Sequence, residues 1–160
     1  MNETSRRLPT MPLPIPPPVL VVLFAAAMWQ IAERLPFGGF AFAGQRPLAA
    51  LLLLAGVALM AAAAWTMFRA RTTVNPLRPE RASRLVTDGV FAFSRNPIYL
   101  GDALILLALA LGFGNAISFL LLPLFVAVLG RWQIGPEEQA LERLFGAAYR
   151  DYCARVRRWL

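Results

Sequence analysis

Ser94-Arg95-Asn96-Pro97-Ile98-Tyr99-Leu100-Gly101 stands where a basic loop gives way to a long apolar run. This octapeptide places an arginine, an amide and a tyrosine at the mouth of a predicted membrane helix. Charged side chains are costly near hydrocarbon, so a polar cluster at that depth indicates a functional site. A second cluster, Glu137-Glu138, follows another apolar run. Two clusters of opposite charge at the ends of two helices are placed to meet across a helical hairpin.

The composition is that of a membrane protein. Of the 160 residues, 58% are hydrophobic and 16% are charged, whereas soluble domains have about 45–50% apolar and about 25% charged residues. The length suits one domain, residues 1–160. The net charge is +7, and all sixteen basic residues are arginines. These arginines flank the apolar runs, which indicates anchoring beside a membrane and argues against nucleic-acid binding.

The residue types that are missing limit the chemistry of the chain. The sequence has no histidine, which excludes an imidazole base and a histidine metal ligand. Cys153 is the single cysteine, so neither an intrachain disulfide nor a multi-cysteine metal site is possible. We predict no metal site, and we interpret Cys153 as a packing residue on a helix.

Four apolar runs predict four transmembrane helices. Residues 1–18 are a proline-rich segment that disfavours helix, and we expect it to be retained and not cleaved as a signal peptide. Residues 19–68 contain two spans, of which the first is short. Residues 69–97 form a basic connecting segment. Residues 98–130 form a helical hairpin that turns at Gly112-Phe113-Gly114-Asn115. The predicted fold class is therefore an all-α integral membrane protein.

The distribution of arginines predicts the orientation. Fourteen of the sixteen lie on one side of the four predicted spans, and only Arg34 and Arg46 lie on the other. By the positive-inside rule the arginine-rich side is cytoplasmic, so both termini face the cytoplasm. We expect a protein embedded in the lipid bilayer of a bacterial inner membrane. The sequence leaves its oligomeric state open.

Residues 131–160 predict a cytoplasmic segment built on an amphipathic helix from Pro136 to Trp159. Pro136 suits the first turn of a helix, and Glu137 and Glu138 suit the positive end of its dipole. Apolar side chains recur at helical spacing along one side, while arginines occupy the other. Such a helix lies on the membrane surface or packs over the hairpin, and the sequence leaves both arrangements open.

The two polar clusters together suit a zwitterionic ligand that resembles a nucleoside. Arg95 is able to bind a carboxylate or phosphate through two hydrogen bonds. Asn96 both donates and accepts, and Tyr99 lies four residues from Arg95 on the same helix face. Glu137 and Glu138 accept hydrogen bonds from ribose or amine donors. Further contributions come from Gly101, which allows close backbone approach, and from the aromatic faces of Tyr149 and Tyr152.

Each of these residues also has a structural interpretation, and the sequence alone does not choose between the two. An anchor beside the membrane, an interfacial aromatic belt, a helix cap and simple packing are common roles of such side chains. In this interpretation Arg95 is the anchor, and Tyr99 belongs to the aromatic belt. Glu137 and Glu138 cap a helix, Tyr149 and Tyr152 pack, and Pro97 starts a helix. Asp102, the lone acid of the third predicted span, pairs with an arginine or contacts the substrate.

Residues 70–157 resemble the isoprenylcysteine carboxyl methyltransferase family, which is related to the phospholipid N-methyltransferases. The family pattern is arginine-histidine-proline-x-tyrosine-x-glycine, a hydrophobic hairpin, two glutamates, and then two tyrosines three apart. In this chain it reads Arg95, Asn96, Pro97, Tyr99, Gly101, Glu137, Glu138, Leu141, Phe145, Gly146, Tyr149, Tyr152 and Val156, preceded by Leu85 to Phe91 and Thr73 to Pro76. The proline-rich start is similar to that of bacterial members. Asn96 replaces the family's histidine, and we expect its amide to act as a hydrogen-bond donor.

The resemblance implies S-adenosylmethionine as methyl donor and S-adenosylhomocysteine as product. It implies that Arg95 and Glu138 are catalytic, and that residues 131–160 cover the donor. The implied donor-binding residues are Arg95, Asn96, Pro97, Tyr99, Gly101, Glu137, Glu138, Tyr149 and Tyr152. The acceptor implied first is the carboxylate of a lipophilic or lipidated molecule similar to isoprenylcysteine. A phospholipid amine or a small thiol is the alternative within enzymes, and a scaffold without activity is the alternative outside them.

Overall fold

The computed structural model describes residues 15–35, 37–71 and 83–160. Within these ranges the elements are helical and no β-strand is formed, so the prediction of an all-α fold is confirmed. The proline-rich residues 1–14 and the motif residues 73–76 lie outside the described ranges. The α-helices are α1 Pro17–Arg34, α2 Gln45–Arg69, α3 Pro97–Phe113, α4 Leu121–Leu129, α5 Gly135–Phe145 and α6 Ala147–Arg155, and short 3₁₀ turns lie at Gly89–Ala92 and Ala116–Leu120.

Two helical stretches in the described ranges are long and apolar enough to cross a membrane. One is Gln45–Arg69, and the other is Ala116–Phe145, which joins the second 3₁₀ turn, α4 and α5 into 30 residues. The third predicted span, α3, is apolar but has only 17 residues. The structure therefore agrees with a membrane protein, while the count of four spans stays a prediction.

The predicted end of the fourth run at Gly130 is wrong, because the helix continues through it. Gly130–Ile134 forms one π-helical turn that joins α4 directly to α5. Gly130 has helical backbone angles, φ −58° and ψ −38°. A glycine inside a helix costs only about 0.5–1 kcal/mol relative to alanine, so the surrounding apolar residues carry the helix across it. The second arm of the hairpin and the first helix after it are thus one continuous helical stretch, Ala116–Phe145.

The prediction of a single helix from Pro136 to Trp159 is also wrong. The chain breaks at Gly146, where φ is +52° and ψ is −119°. A positive φ of this kind is readily adopted only by glycine, so Gly146 turns the chain between α5 and α6. A second change follows at Val156, whose φ of −121° and ψ of 130° begin an extended tail, residues 156–160.

The turn predicted between the third and fourth runs is confirmed. Gly114 takes a left-handed conformation with φ +66°, and the Asn115 side chain accepts a hydrogen bond from the Ile117 amide at 2.9 Å. The loop between α1 and α2 covers this turn, since the Phe40 amide donates to the Gly114 carbonyl at 2.7 Å. The Ala116 amide donates to the Gly38 carbonyl at the same distance. The turn is therefore fixed from both sides.

The core lies between α1, α3 and α4, and α2 packs on another side of α3. Phe24 and Phe125 meet edge to face with ring centroids 5.2 Å apart. Much of α2 is apolar yet exposed, which suits contact with lipid tails. The buried core residues are Leu20, Met28, Tyr99, Leu106, Ala110, Phe125, Leu129 and Ile134.

Two glycines allow α2 and α3 to approach closely. A Cβ on Gly56 would lie 2.8 Å from the Gly101 carbonyl oxygen, and a Cβ on Gly101 would lie 2.8 Å from the Gly56 carbonyl oxygen. The same Cβ on Gly101 would collide with the side chain of Met60. Backbone-to-backbone contact of this kind is how helices pack in membranes.

We expect Gly101→Ala to separate α2 from α3 and to lower the stability of the protein by about 1–3 kcal/mol, as overpacking does. Thermal unfolding of the detergent-solubilised protein measures the effect. Gly130→Ala is the matched control, because a Cβ there meets nothing within 4 Å. We expect that variant to be as stable as the parent or slightly more stable. Equal midpoints for both variants would contradict a close packing of α2 on α3 at this point.

Candidate functional site

The extended C-terminal tail lies along the residues that precede α3. The amide of Arg95 donates to the carbonyl of Arg157 at 3.0 Å. The Asn96 side-chain amide donates to the carbonyl of Arg158 at 2.9 Å. The tail thus continues from α6 back across the start of α3, and the Asn96 donor is used in holding it there.

Arg95, Glu138 and Arg158 form an ionic cluster at the N-terminal end of α3, called here the Arg-Glu-Arg cluster. Arg95 Nη1 lies 3.1 Å from Glu138 Oε1. Arg158 binds the same carboxylate with two of its three guanidinium nitrogens, Nε to Oε1 at 3.1 Å and Nη2 to Oε2 at 2.5 Å. The side chains of Arg95 and Glu138 are only 16% and 18% exposed. The two charge clusters predicted to meet do meet, with two cations around one anion.

Arg95 keeps its charge and one unused donor. Burial alone would lower the pKa of its guanidinium, but Glu138 and the other groups beside it leave that pKa raised. Its Nη1 also contacts Cys153 Sγ at 2.6 Å, so the single cysteine packs at the site. Its Nε is buried and has no hydrogen-bond partner among the described residues. A buried donor without a partner is costly, so it marks a place for an acceptor group.

Tyr99 and Glu137 form a second contact between the two polar clusters. The Tyr99 hydroxyl donates to Glu137 Oε1 at 2.5 Å, and Gln133 Nε2 donates to the same oxygen at 2.8 Å. Tyr99 is 5% exposed. Gln133 precedes Glu137 by four residues and lies in the π-helical turn. The continuation of the helix through Gly130 is therefore what brings Gln133 onto the carboxylate.

Tyr149 and Tyr152 are buried on α6 with ring centroids 6.3 Å apart. The Tyr152 hydroxyl donates to the Phe91 carbonyl at 2.7 Å, which ties α6 to the 3₁₀ turn before α3. Burial raises the pKa of Tyr152 to about 12 and raises the pKa of Tyr149 as well, so both hydroxyls stay protonated near neutral pH. Arg95 interacts electrostatically with both tyrosines, and the donor-binding role given to them stays a prediction.

Pro97 and Gly101 stand apart from the polar contacts. Pro97 is fully buried as the first residue of α3, which is the position its fixed φ suits. Gly101 is buried against Gly56 and Met60 of α2, so its missing side chain serves the packing of two helices. The donor-binding role given to these two residues stays a prediction.

Two further side chains of the site, those of Arg158 and Gln133, were not predicted from the sequence. Gln133 had a detectable signal, its spacing of four residues from Glu137, which places both on one helix face. Arg158 had none, because it reaches Glu138 only after the chain breaks at Gly146 and again at Val156.

The model of the phospholipid methyltransferase family matches residues 45–148, which include α3, the hairpin turn and both glutamates of the site. The chain belongs to the phospholipid methyltransferase family. It is therefore a methyltransferase, and the expectation of an enzyme related to both methyltransferase families is confirmed.

Two relatives match this chain, and the matches cover different shares of the relatives' lengths. An uncharacterized protein of Haemophilus influenzae is 46% identical over 63 residues, which are 39% of this chain and all of that protein. The protein-S-isoprenylcysteine O-methyltransferase of Schizosaccharomyces pombe is 36% identical over 72 residues, 45% of this chain. The match spans only 30% of that yeast enzyme. No solved structure gives a significant match.

Proposed function

We propose that this methyltransferase transfers the methyl group of S-adenosylmethionine to a lipophilic acceptor delivered from the membrane. The Arg-Glu-Arg cluster supports the proposal. Its two cations, Arg95 and Arg158, share the single carboxylate of Glu138, and the buried Nε of Arg95 has no hydrogen-bond partner among the described residues. A ligand carboxylate fits that excess of positive charge, and the donor has such a carboxylate in its methionine part. The donor, when bound, supplies a methyl group activated by a positively charged sulfur.

The residues of the chain bind, orient and exclude water. Arg95 binds the donor carboxylate through its charge and through Nε, the buried donor that has no partner among the described residues. Glu138 holds both guanidiniums in place. The low exposure of Arg95 and Glu138 keeps water out, which favours the combination of oppositely charged reactants. Holding donor and acceptor in line supplies much of the acceleration, up to about 7–11 kcal/mol for well-aligned reactants.

The acceptor has two candidate chemistries. The yeast relative is named for O-methylation of isoprenylcysteine, and this supports the carboxylate that the sequence resemblance implies. The amine of a phospholipid is the second candidate, and Asp102 favours it. Asp102 is 4% exposed, and neither a hydrogen bond nor an ion pair to it is found among the described residues. A lone buried carboxylate attracts a cationic group and repels an anionic one.

The arginine distribution supports a four-span arrangement in a bacterial inner membrane, with both termini and the donor site on the cytoplasmic side. In this arrangement α1, α2, α3 and residues 116–129 of the fourth helical stretch cross the membrane, and Glu137 and Glu138 lie beyond its cytoplasmic end. The acceptor enters between helices from the bilayer, and the donor enters from the cytoplasm.

One experiment tests the donor and the orientation together. S-adenosylmethionine with a labelled methyl group is added to sealed vesicles that contain the protein, either inverted or right side out. The donor is charged and does not cross the bilayer. We expect label in the lipid fraction of inverted vesicles and almost none in right-side-out vesicles. Label in neither preparation would refute the proposed donor or acceptor class, and label only in right-side-out vesicles would refute the orientation.

A further inference from the structure

We infer that Asp102 receives the methyl acceptor, and that the acceptor is an amine whose ammonium proton passes to the Asp102 carboxylate. The inference rests on the proposed function and adds to it the residue that selects the acceptor. Three observations carry it, namely the isolation of this carboxylate, its place on α3 and the charge around it.

Asp102 is a buried acid that the fold does not satisfy. It is 4% exposed in a helix whose other residues are almost all apolar. Within ranges 15–35, 37–71 and 83–160, neither a hydrogen bond nor an ion pair reaches it. Burying a charged or polar group without a partner lowers stability. A residue that costs stability and has no structural partner is expected to serve a ligand.

The position of Asp102 connects it to the site. It follows Tyr99 by three residues, so the two side chains share one face of α3 and are separated by about 4.5 Å along the helix axis. Leu106, one further turn along, belongs with Tyr99 to the core between α1, α3 and α4. Asp102 therefore lies about one turn further along α3 than Tyr99, deeper in the predicted span than the contact between Tyr99 and Glu137.

The charge around Asp102 selects a cation. Tyr99 on α3 is the titratable group that interacts with Asp102, and Tyr99 in turn donates a hydrogen bond to Glu137 on α5. Glu137 is bound by two neutral donors, whereas Glu138 is already offset by two arginines. The apolar stretches 17–32, 47–68 and 121–129 of the neighbouring helices contain no ionisable residue. A carboxylate acceptor would add a second negative charge beside Asp102, and an ammonium group would offset the charge already present.

The chemical step balances with the methylsulfonium donor as co-reactant. The acceptor ammonium gives one proton to the Asp102 carboxylate, which leaves a neutral amine with a free electron pair. That pair forms the bond from nitrogen to the methyl carbon while the bond from carbon to sulfur breaks, and the breaking pair stays on sulfur. The Asp102 carboxylic acid later releases its proton to water. The step gives Asp102 the part of proton acceptor in a chain that has Asn96 in place of the family's histidine.

The test compares Asp102→Asn with Asp151→Asn, an exposed aspartate outside the site. Both proteins are placed in vesicles of a primary-amine phospholipid and given labelled donor. We expect Asp102→Asn to lose about a hundredfold or more of its rate, which is the usual contribution of a proton acceptor. Part of that rate should return as the pH is raised, because the lipid amine then loses its proton without help. We expect Asp151→Asn to keep the rate of the parent.

Two further readouts separate this role from a structural one. Donor affinity by calorimetry should be unchanged in Asp102→Asn, and its midpoint of thermal unfolding should rise, because a buried charge has been removed. A lower midpoint together with lost activity would overturn the inference in favour of a structural role, as would full activity on the amine lipid. A parent protein that methylates a carboxylate or thiol lipid but not the amine lipid would overturn this inference alone. A parent that methylates none of the three would overturn the proposed function itself.

Discussion

Replacement of Glu138 by alanine is expected to abolish methyl transfer and to destabilise the fold more than any other exchange of a single charge at the site. Its carboxylate is the only anion that binds both Arg95 and Arg158 in the described structure. Without it, Arg95 remains largely buried beside a second cation. Breaking a buried ion pair by removing one partner costs about 3–5 kcal/mol, and the partial exposure of this pair places the expected loss at the lower end.

Glu142→Ala is the matched control for that experiment. Glu142 also pairs with an arginine, Arg150, but at 3.6 Å and with both side chains more than half exposed. Exposed pairs contribute about 0–1 kcal/mol, so this variant should unfold and bind the donor as the parent does. Thermal unfolding and calorimetric donor binding measure both effects. Similar losses in Glu138→Ala and Glu142→Ala would show that the Arg-Glu-Arg cluster has no special role.

The intermediate substitution Glu138→Gln separates binding from folding. The amide keeps the shape of the side chain and one oxygen acceptor but removes the charge that holds two guanidiniums. We expect the donor affinity to fall by more than the stability does, because Arg95 is then less firmly oriented. A loss of stability without any loss of donor affinity would place Glu138 among the structural residues.

Local rules explain which features could be predicted from the sequence. Pro97 begins α3 and Gly114 ends it, because each has the backbone conformation that its position requires. The meeting of Arg95 with Glu138 follows from opposite charges at the ends of helices that a short turn connects. These inferences needed only neighbouring residues and the rule that charges avoid hydrocarbon.

The remaining features depend on contacts between distant parts of the chain. Gly130 and Gly146 look alike in the sequence, yet one lies inside a helix and the other breaks it. Packing around each glycine decides the outcome, since glycine itself permits both. Arg158 reaches the site only because Gly146 and Val156 redirect the chain. The isolation of Asp102 is equally invisible in the sequence, because it depends on which partners the neighbouring helices fail to provide.

We expect the hydrogen bond from Tyr99 to Glu137 to affect the rate of methyl transfer. We expect the chemically similar hydrogen bond of Tyr152 to have little effect on that rate. Tyr99→Phe removes a hydrogen bond to a carboxylate, worth about 1.5–3 kcal/mol, from a group that lies between the Arg-Glu-Arg cluster and Asp102. Tyr152→Phe removes a hydrogen bond to a neutral backbone carbonyl, worth about 0.5–1.5 kcal/mol, between α6 and the 3₁₀ turn Gly89–Ala92.

The expected result is a fall of about tenfold or more in the methyl-transfer rate of Tyr99→Phe, with Tyr152→Phe losing some stability but little rate. A double-mutant cycle with Glu137→Gln tests whether the effect comes from this contact, because the two substitutions should then be clearly non-additive. Rates are measured with labelled donor, and folding is followed in parallel by thermal unfolding. If both tyrosine variants slowed methyl transfer equally, the hydroxyls would serve only to hold the helices together. Strict additivity of Tyr99→Phe and Glu137→Gln would show that the hydrogen bond between these side chains does not contribute to methyl transfer. Asp102 would then be the only carboxylate left to select the acceptor.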